Sequence, residues 1–149
     1  MSPIDTTSIN EKLFKLERAA EIVEEVREKG EKKFFADDIT QGAAMFNLLV
    51  SIELIVDIGN HILSEMFQPA KNYKDTILLL GKHKVIPESY AKENANMGDF
   101  RNKLVHDYSS IDPKKVYAYL QKAPDIFRQF AKYFVEFMEK HDTDISSPK

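Results

Sequence analysis

Apolar residues recur at three- and four-residue steps along most of the chain, the period of helices that bury one face. The first run, Ile9, Leu13, Leu16, Ala20, Val23 and Val26, follows Ser8, which can cap a helix with Glu11 as its capping-box partner. Gly30 predicts where that helix ends. A second helix opens at Asp38 or just before it. Met45, Leu48, Leu49, Ile52, Ile55, Val56, Ile62, Leu63 and Met66 give it a broad apolar face, and Pro69 limits it. Asn72 predicts the cap of a short third helix through Ile77, Leu78 and Leu80, stopped by Gly81. A fourth starts at Pro87 or Glu88 and passes through Tyr90, Met97, Phe100 and Leu104 to Val105 or His106. Asp112-Pro113 predicts the start of a fifth, with Val116, Leu120, Phe127, Phe130, Phe134 and Met138 along one face. Pro124 falls inside that run, and its missing N–H predicts a kink or break at Ala123. With no strand alternation, repeat or linker, the expectation is a single domain over residues 1–149. It is an all-α, up-and-down bundle of four to six helices with flexible ends at 1–7 and 142–149.

Composition narrows the function. The chain has 149 residues, enough for an ordinary core, and a formal net charge of −3. That balance argues against holding nucleic acid by a broad basic surface, though not against a local basic cleft. Without cysteine there is no disulfide framework, thiol nucleophile or zinc–thiolate site. Residues 1–10 lack the basic start and apolar run of a signal peptide. The most apolar stretch, Leu48 to Leu63, is broken by Ser51, Glu53, Asp57, Asn60 and His61. A cytoplasmic protein with no membrane partner is expected.

The chemistry concentrates in Arg101-Asn102-Lys103-Leu104-Val105-His106-Asp107-Tyr108, an Arg-x4-His-x-Tyr string. Arg101 offers a permanently charged planar fork for phosphate. His106 can exchange protons near neutrality. Such a pair suits metal-free cleavage of RNA, whose 2′-hydroxyl attacks its own phosphate while His moves a proton and Arg stabilises the developing charge. DNA lacks that internal nucleophile and is not expected as substrate. Five residues of helix turn the side chain by 500°, which leaves Arg101 and His106 about 140° apart. Convergence then requires a loosened helix end or a second subunit. Asn102 and His106 share a face, and Arg101 and Tyr108 share one if the helix lasts that far. By themselves, these residues also fit a plain solvated helix end.

Glu53, Asp57, Asn60 and Ser64 form a polar stripe on the second helix. It is either a solvated face or the wall of a cleft in which Asp57 or Asn60 orients Arg101 or His106. His61 and Glu65 could chelate, but no third ligand has a recognisable spacing, so no metal is expected. His83 and His141 read as solvated, and the aromatic run from Tyr117 to Phe137 as packing.

The octet and its surroundings resemble the HepT toxins, a branch of the HEPN superfamily of all-helical ribonucleases. Ile52 to Ile62, with Glu53 and Asp57-Ile58-Gly59-Asn60-His61, is similar to that family's second helix. Asn72-Tyr73 through Leu80-Gly81 to Val85-Ile86-Pro87 is similar to its short middle helix and turn. Met97-Gly98-Asp99-Phe100 leads into the motif, and Ile111-Asp112-Pro113 to Val116-Tyr117 follows it. The likeness covers about residues 10–137. It implies a HEPN-like two-fold homodimer whose motifs line a shared cleft, with metal-independent RNA cleavage and no cofactor. Arg101 and His106 would be catalytic, with polar Asn102 between them and Glu53, Asp57 and Asn60 in support. It further implies a toxin–antitoxin pair whose partner, an MntA-like nucleotidyltransferase, silences the toxin by adding AMP to Tyr108. The alternative is a non-catalytic helical partner of a minimal nucleotidyltransferase. A purely structural dimerisation bundle is the third reading.

Overall fold

In the computed structural model, which describes residues 4–146, Ile4 and Ile9 are both buried on either side of Asp5, whose carboxylate accepts the Ser8 N–H at 3.2 Å. This is a hydrophobic staple around an Asp cap, so Asp5 rather than Ser8 opens the first helix. The expectation of flexible ends falls in part on residues 1–3 and 147–149, outside the described residues. The described residues form seven helices: α1 (Thr6–Glu28), α2 (Gly30–Ala36), α3 (Asp38–Glu65), α4 (Tyr73–Lys82), α5 (Glu88–Asn94), α6 (Met97–His106) and α7 (Pro113–Ser146).

Gly30 does end α1, at φ +87°, but the chain turns at once into α2, which the sequence reading missed. Its anchor is Phe34, fully buried against Phe35 and Tyr117. Asp37 caps α3 through the Ile39 N–H at 3.2 Å and takes the Thr40 hydroxyl at 2.6 Å. α3 stops before Pro69. Phe67 adopts φ 58°, and the Gln68 and Phe67 N–H groups return to the Leu63 and Ser64 carbonyls at 2.9 and 3.0 Å, a Schellman motif.

Three further expectations fail for packing reasons. Gly81 does not stop α4. Lys84 takes the left-handed position at φ 61°, and Gly81 lies inside the helix where α5 crosses it. A Cβ there would meet the Ala91 Cβ at 2.5 Å and the Glu88 Cα at 3.2 Å. The expected fourth helix is two, α5 and α6, parted at Ala95 and Asn96. α5 seats on α4 through Ala91, while Gly98 of α6 seats on Tyr73, and one straight helix cannot follow both seats. Pro124 leaves α7 a continuous helix. Ala123, Phe127, Phe130 and Phe134 beside it are fully buried, each phenylalanine contributing about 2–3 kcal/mol of burial. In the same turn the Arg27 guanidinium donates to the Gln121 carbonyl at 2.9 Å, tying α7 to the end of α1.

α3 is the central helix, touching α1, α2, α4, α6 and α7. By length and composition it would pass as a membrane span, with mean hydropathy 1.6 over its most apolar window, but half of that window is buried in the bundle. α1 runs antiparallel to α7: Arg27 meets Gln121, and Arg128 clasps Glu24 at 2.7 and 3.3 Å. Lys12, near the start of α1, shares a groove with Asp57 to Glu65 near the end of α3, so these two are antiparallel as well. Helices α4 to α6 carry the chain back between α3 and α7.

Gly81→Ala provides a direct check. In an ordinary helix interior this change gains about 1 kcal/mol. Here the added methyl strikes Ala91 and the α5 backbone, so a loss of about 1–3 kcal/mol is expected in urea unfolding.

Candidate functional site

α6 begins where Asn96 turns the chain, and its N-terminal turn rests on α4. Gly98 is what allows the approach, since a Cβ there would fall 2.6 Å from the Tyr73 Cβ. Asn72 caps α4 through the Asp75 N–H at 2.8 Å, as the sequence predicted, and so fixes Tyr73 at the first helical position. One turn beyond Gly98, Arg101 reaches across to Glu53 on α3.

That contact organises the site. The Arg101 Nε–H donates to Glu53 Oε1, and the Tyr73 hydroxyl donates to both Glu53 oxygens at 2.9 Å. The guanidinium carbon lies 4.8 Å from the centre of the Tyr73 ring, a cation–π distance. Nη1 also donates to Asn102 Oδ1 at 3.2 Å. The hydrogen bond to Glu53 raises the Arg101 pKa further, so its charge is permanent. Partial burial, followed by the bond to Glu53, pushes the Tyr73 phenol up and keeps it a donor. The bonds to Glu53 and Asn102 use two of the five guanidinium N–H groups, and the Tyr73 ring covers one face.

α6 ends at His106. The Asp107 N–H bonds back to the Lys103 carbonyl at 2.9 Å, and the Ser110 and Ile111 N–H groups both return to the Asp107 carbonyl at 2.9 and 2.8 Å. Tyr108 therefore sits in a turn beyond the helix, 68% exposed, and not on the Arg101 face that a longer helix would have given it. His106 and Asn102 are exposed as well. Because the helix is unbroken from Arg101 to His106, the two motif residues keep their angular separation of about 140°. Lys103 and Lys115 line a hollow beside the turn with Asp107, Ser110 and Asp112.

Of the polar stripe on α3, Glu53 is the residue that meets the motif. Asn60 accepts the Thr76 hydroxyl of α4 at 2.7 Å and makes no bond to Arg101 or His106 in the single chain. Asp57 forms no bond to them either. It lines an open groove with Lys12, Asn60, His61, Ser64 and Glu65. Partial burial first, and then the Glu53 charge, raise its carboxyl pKa, with Lys12 pulling the other way. Among the described residues no three His, Cys, Asp or Glu side chains gather to hold a metal ion. Two histidines differ from expectation: His83 has a buried Nε2 without a partner, and His141 stacks on Phe137 at 5.1 Å. Tyr73 was missed as a site residue because no periodicity links it to Arg101. The available hint was Gly98, a glycine inside a helical run just ahead of the motif.

The described residues thus form an all-α bundle that carries Arg101 and His106 on one short helix and Tyr108 in the turn after it, with the arginine seated on Glu53 of the central helix. The family profile described as Ribonuclease HepT-like matches residues 16–134. The chain belongs to the HepT-like ribonuclease family, an enzyme family. It is 34% identical over 93 residues to the tRNA nuclease HepT of Aphanizomenon flos-aquae, a stretch covering 58% of this chain and 63% of that protein. It is 27% identical over 120 residues to the mRNA nuclease HepT of Shewanella oneidensis, covering 80% of this chain and 90% of that protein. Among solved structures, the tri-AMPylated HEPN toxin of Shewanella oneidensis in complex with MNT antitoxin aligns with a TM-score of 0.77 at 25% identity. That alignment covers 86% of this chain and 96% of the toxin.

Asp57 yields a pH prediction with a definite sign. An acid whose folded pKa is raised is disfavoured when charged, so the folded state gains relative stability as pH falls through that pKa. Asp57→Asn should raise the melting temperature at neutral pH, and the gain should vanish below the ordinary carboxylate range. Thermal melts at pH 7 and at about pH 2.5 read both limits.

Proposed function

We propose that the protein is the ribonuclease toxin of a toxin–antitoxin pair, cutting RNA without a metal in a cleft shared by two copies. The observation that carries this reading is the seating of Arg101. A cation bonded to Glu53 and stacked on Tyr73 lies on the same short segment as an exposed imidazole and an exposed phenol. The RNA 2′-oxygen attacks the adjacent phosphorus, the bond to the 5′-oxygen breaks, and a 2′,3′-cyclic phosphate and a 5′-hydroxyl result. His106 transfers the proton, and Arg101 stabilises the charge on the non-bridging oxygens. Lys103 and Lys115 stand beside the motif in a hollow that they share with Asp107 and Asp112.

The unbroken helix between Arg101 and His106 favours pairing Arg101 of one copy with His106 of the other. α3 offers a surface for such a dimer. Ile39, Ala43, Phe46 and Val50 follow one another at steps of four, three and four, and Glu53 comes next on the same stripe. Ile39 is 82% and Phe46 63% exposed in the single chain, a waste of apolar surface unless a second copy covers it. A two-fold contact through this stripe would place both copies of the Glu53–Arg101 pair at its edge.

Tyr108, exposed in its turn, suits modification. A partner nucleotidyltransferase of the MntA type would join its phenolic oxygen to the α-phosphorus of ATP and release pyrophosphate. The added phosphate and purine would then compete with RNA for Arg101. The AMPylated relative in complex with its MNT antitoxin supports this partner. A cytoplasmic location belongs to the same reading.

Purified chain, free of AMP and in chelator, should cleave cellular RNA, and Arg101→Ala or His106→Ala should slow cleavage by about 100-fold or more. Wild-type protein that leaves RNA at the His106→Ala background would refute the reading. After expression with its nucleotidyltransferase, intact mass should rise by about 329 Da per AMP group, and Tyr108→Phe should abolish the shift.

A further inference from the structure

Arginine side chains at a surface are mobile, and a cation that must meet a phosphate at one point in a reaction loses efficiency with each alternative rotamer. Glu53 alone does not fix Arg101. One bond from Nε leaves the guanidinium plane free to swing about that contact, and a carboxylate on a partly exposed helix face has rotamers of its own.

Tyr73 removes both freedoms. Its hydroxyl donates to the two Glu53 oxygens at 2.9 Å each, which orients the carboxylate, and its ring lies under the guanidinium at 4.8 Å, which sets the plane. Its own position is fixed twice. Asn72 caps the helix immediately ahead of it, and α6 presses on it so closely that a Cβ at Gly98 would lie 2.6 Å from the Tyr73 Cβ. Gly98 and Arg101 stand one turn apart on α6, so the backbone that touches Tyr73 and the cation that stacks on it are parts of one rigid segment.

We propose that Tyr73 is a positioning residue for Arg101, acting through its hydroxyl on Glu53 and through its ring on the guanidinium, with Gly98 making the seat. The consequence for activity rests on the ribonuclease reading, but the consequence for Arg101 does not.

The test therefore begins on the protein itself. In the full chain, the Arg101 Nε–H signal, assigned by its loss in Arg101→Lys, should be shifted by its bond to Glu53 and should exchange slowly with water. Tyr73→Phe, which keeps the ring, should speed that exchange about tenfold, and Tyr73→Leu or Gly98→Ala more strongly. In RNA cleavage, Tyr73→Leu should lower kcat about 10- to 100-fold with little change in KM, and Tyr73→Phe by a smaller factor. Unaltered exchange and chemical shift of the Arg101 Nε–H in Tyr73→Phe and Gly98→Ala would overturn the proposal whether or not RNA is cut. If wild-type protein cuts no RNA, the ribonuclease reading fails and the Nε–H arm still decides the role of Tyr73. Should Tyr73→Leu not fold, Tyr73→Phe is the deciding variant.

Discussion

The contact between Glu53 on α3 and Arg101 on α6 joins the one chemically loaded segment of the chain to its most buried helix. A charge-assisted hydrogen bond of this kind contributes about 1.5–3 kcal/mol when shielded. Both side chains keep some exposure, 23% and 32%, so screening reduces the figure. Its value lies more in geometry than in stability. An unpaired arginine at that point would keep its full rotamer entropy, about 2 kcal/mol, and would present no fixed edge to a phosphate. Everything around the contact serves to hold it: the Asn72 cap, the Tyr73 ring, the missing side chain at Gly98 and the break that lets α6 leave the direction of α5.

Helix α3 can supply this support because its exposed face changes character along its length. Ile39, Ala43, Phe46 and Val50 form an apolar half, and Glu53, Asp57, Asn60 and Ser64 continue the same stripe as a polar half. The boundary falls at Glu53. In the proposed dimer the apolar half is covered by a second copy, and the motif stands at the point where that contact would give way to solvent. One helix would thereby set both the spacing of two subunits and the seat of each arginine.

Much of the fold was legible in the sequence because helical periodicity reports burial directly. The apolar positions of α1, α3 and α7 are the core positions, and the Asn72 and Asp112 caps lie where their side chains predicted. The errors share a cause. Gly81 and Pro124 look like local punctuation, yet tertiary packing decided both: one glycine serves a helix crossing, and one proline is carried by three buried phenylalanines. The break at Ala95 and Asn96 likewise follows from two seats that no local spacing reveals. For the site, the motif and Glu53 were readable, whereas Tyr73 was not, since its role arises from a contact between α4 and α6. Asn60, expected to support the motif, bonds to Thr76, a residue of another helix that no spacing in the sequence ties to it.

The central claim is that Arg101 and His106 act across two copies, because one continuous helix points them apart. Mixed dimers test this most directly. Arg101→Ala chains and His106→Ala chains, each inactive alone, are unfolded together and refolded as a mixture. In a heterodimer, pairing across copies would leave one cleft edge with both intact residues. Random mixing makes half the dimers heterodimers, each with one of two pairs intact, so about a quarter of wild-type RNA cleavage should return. A mixture no more active than its separate components, with heterodimers verified by mass, would contradict the claim and return each motif to a single chain.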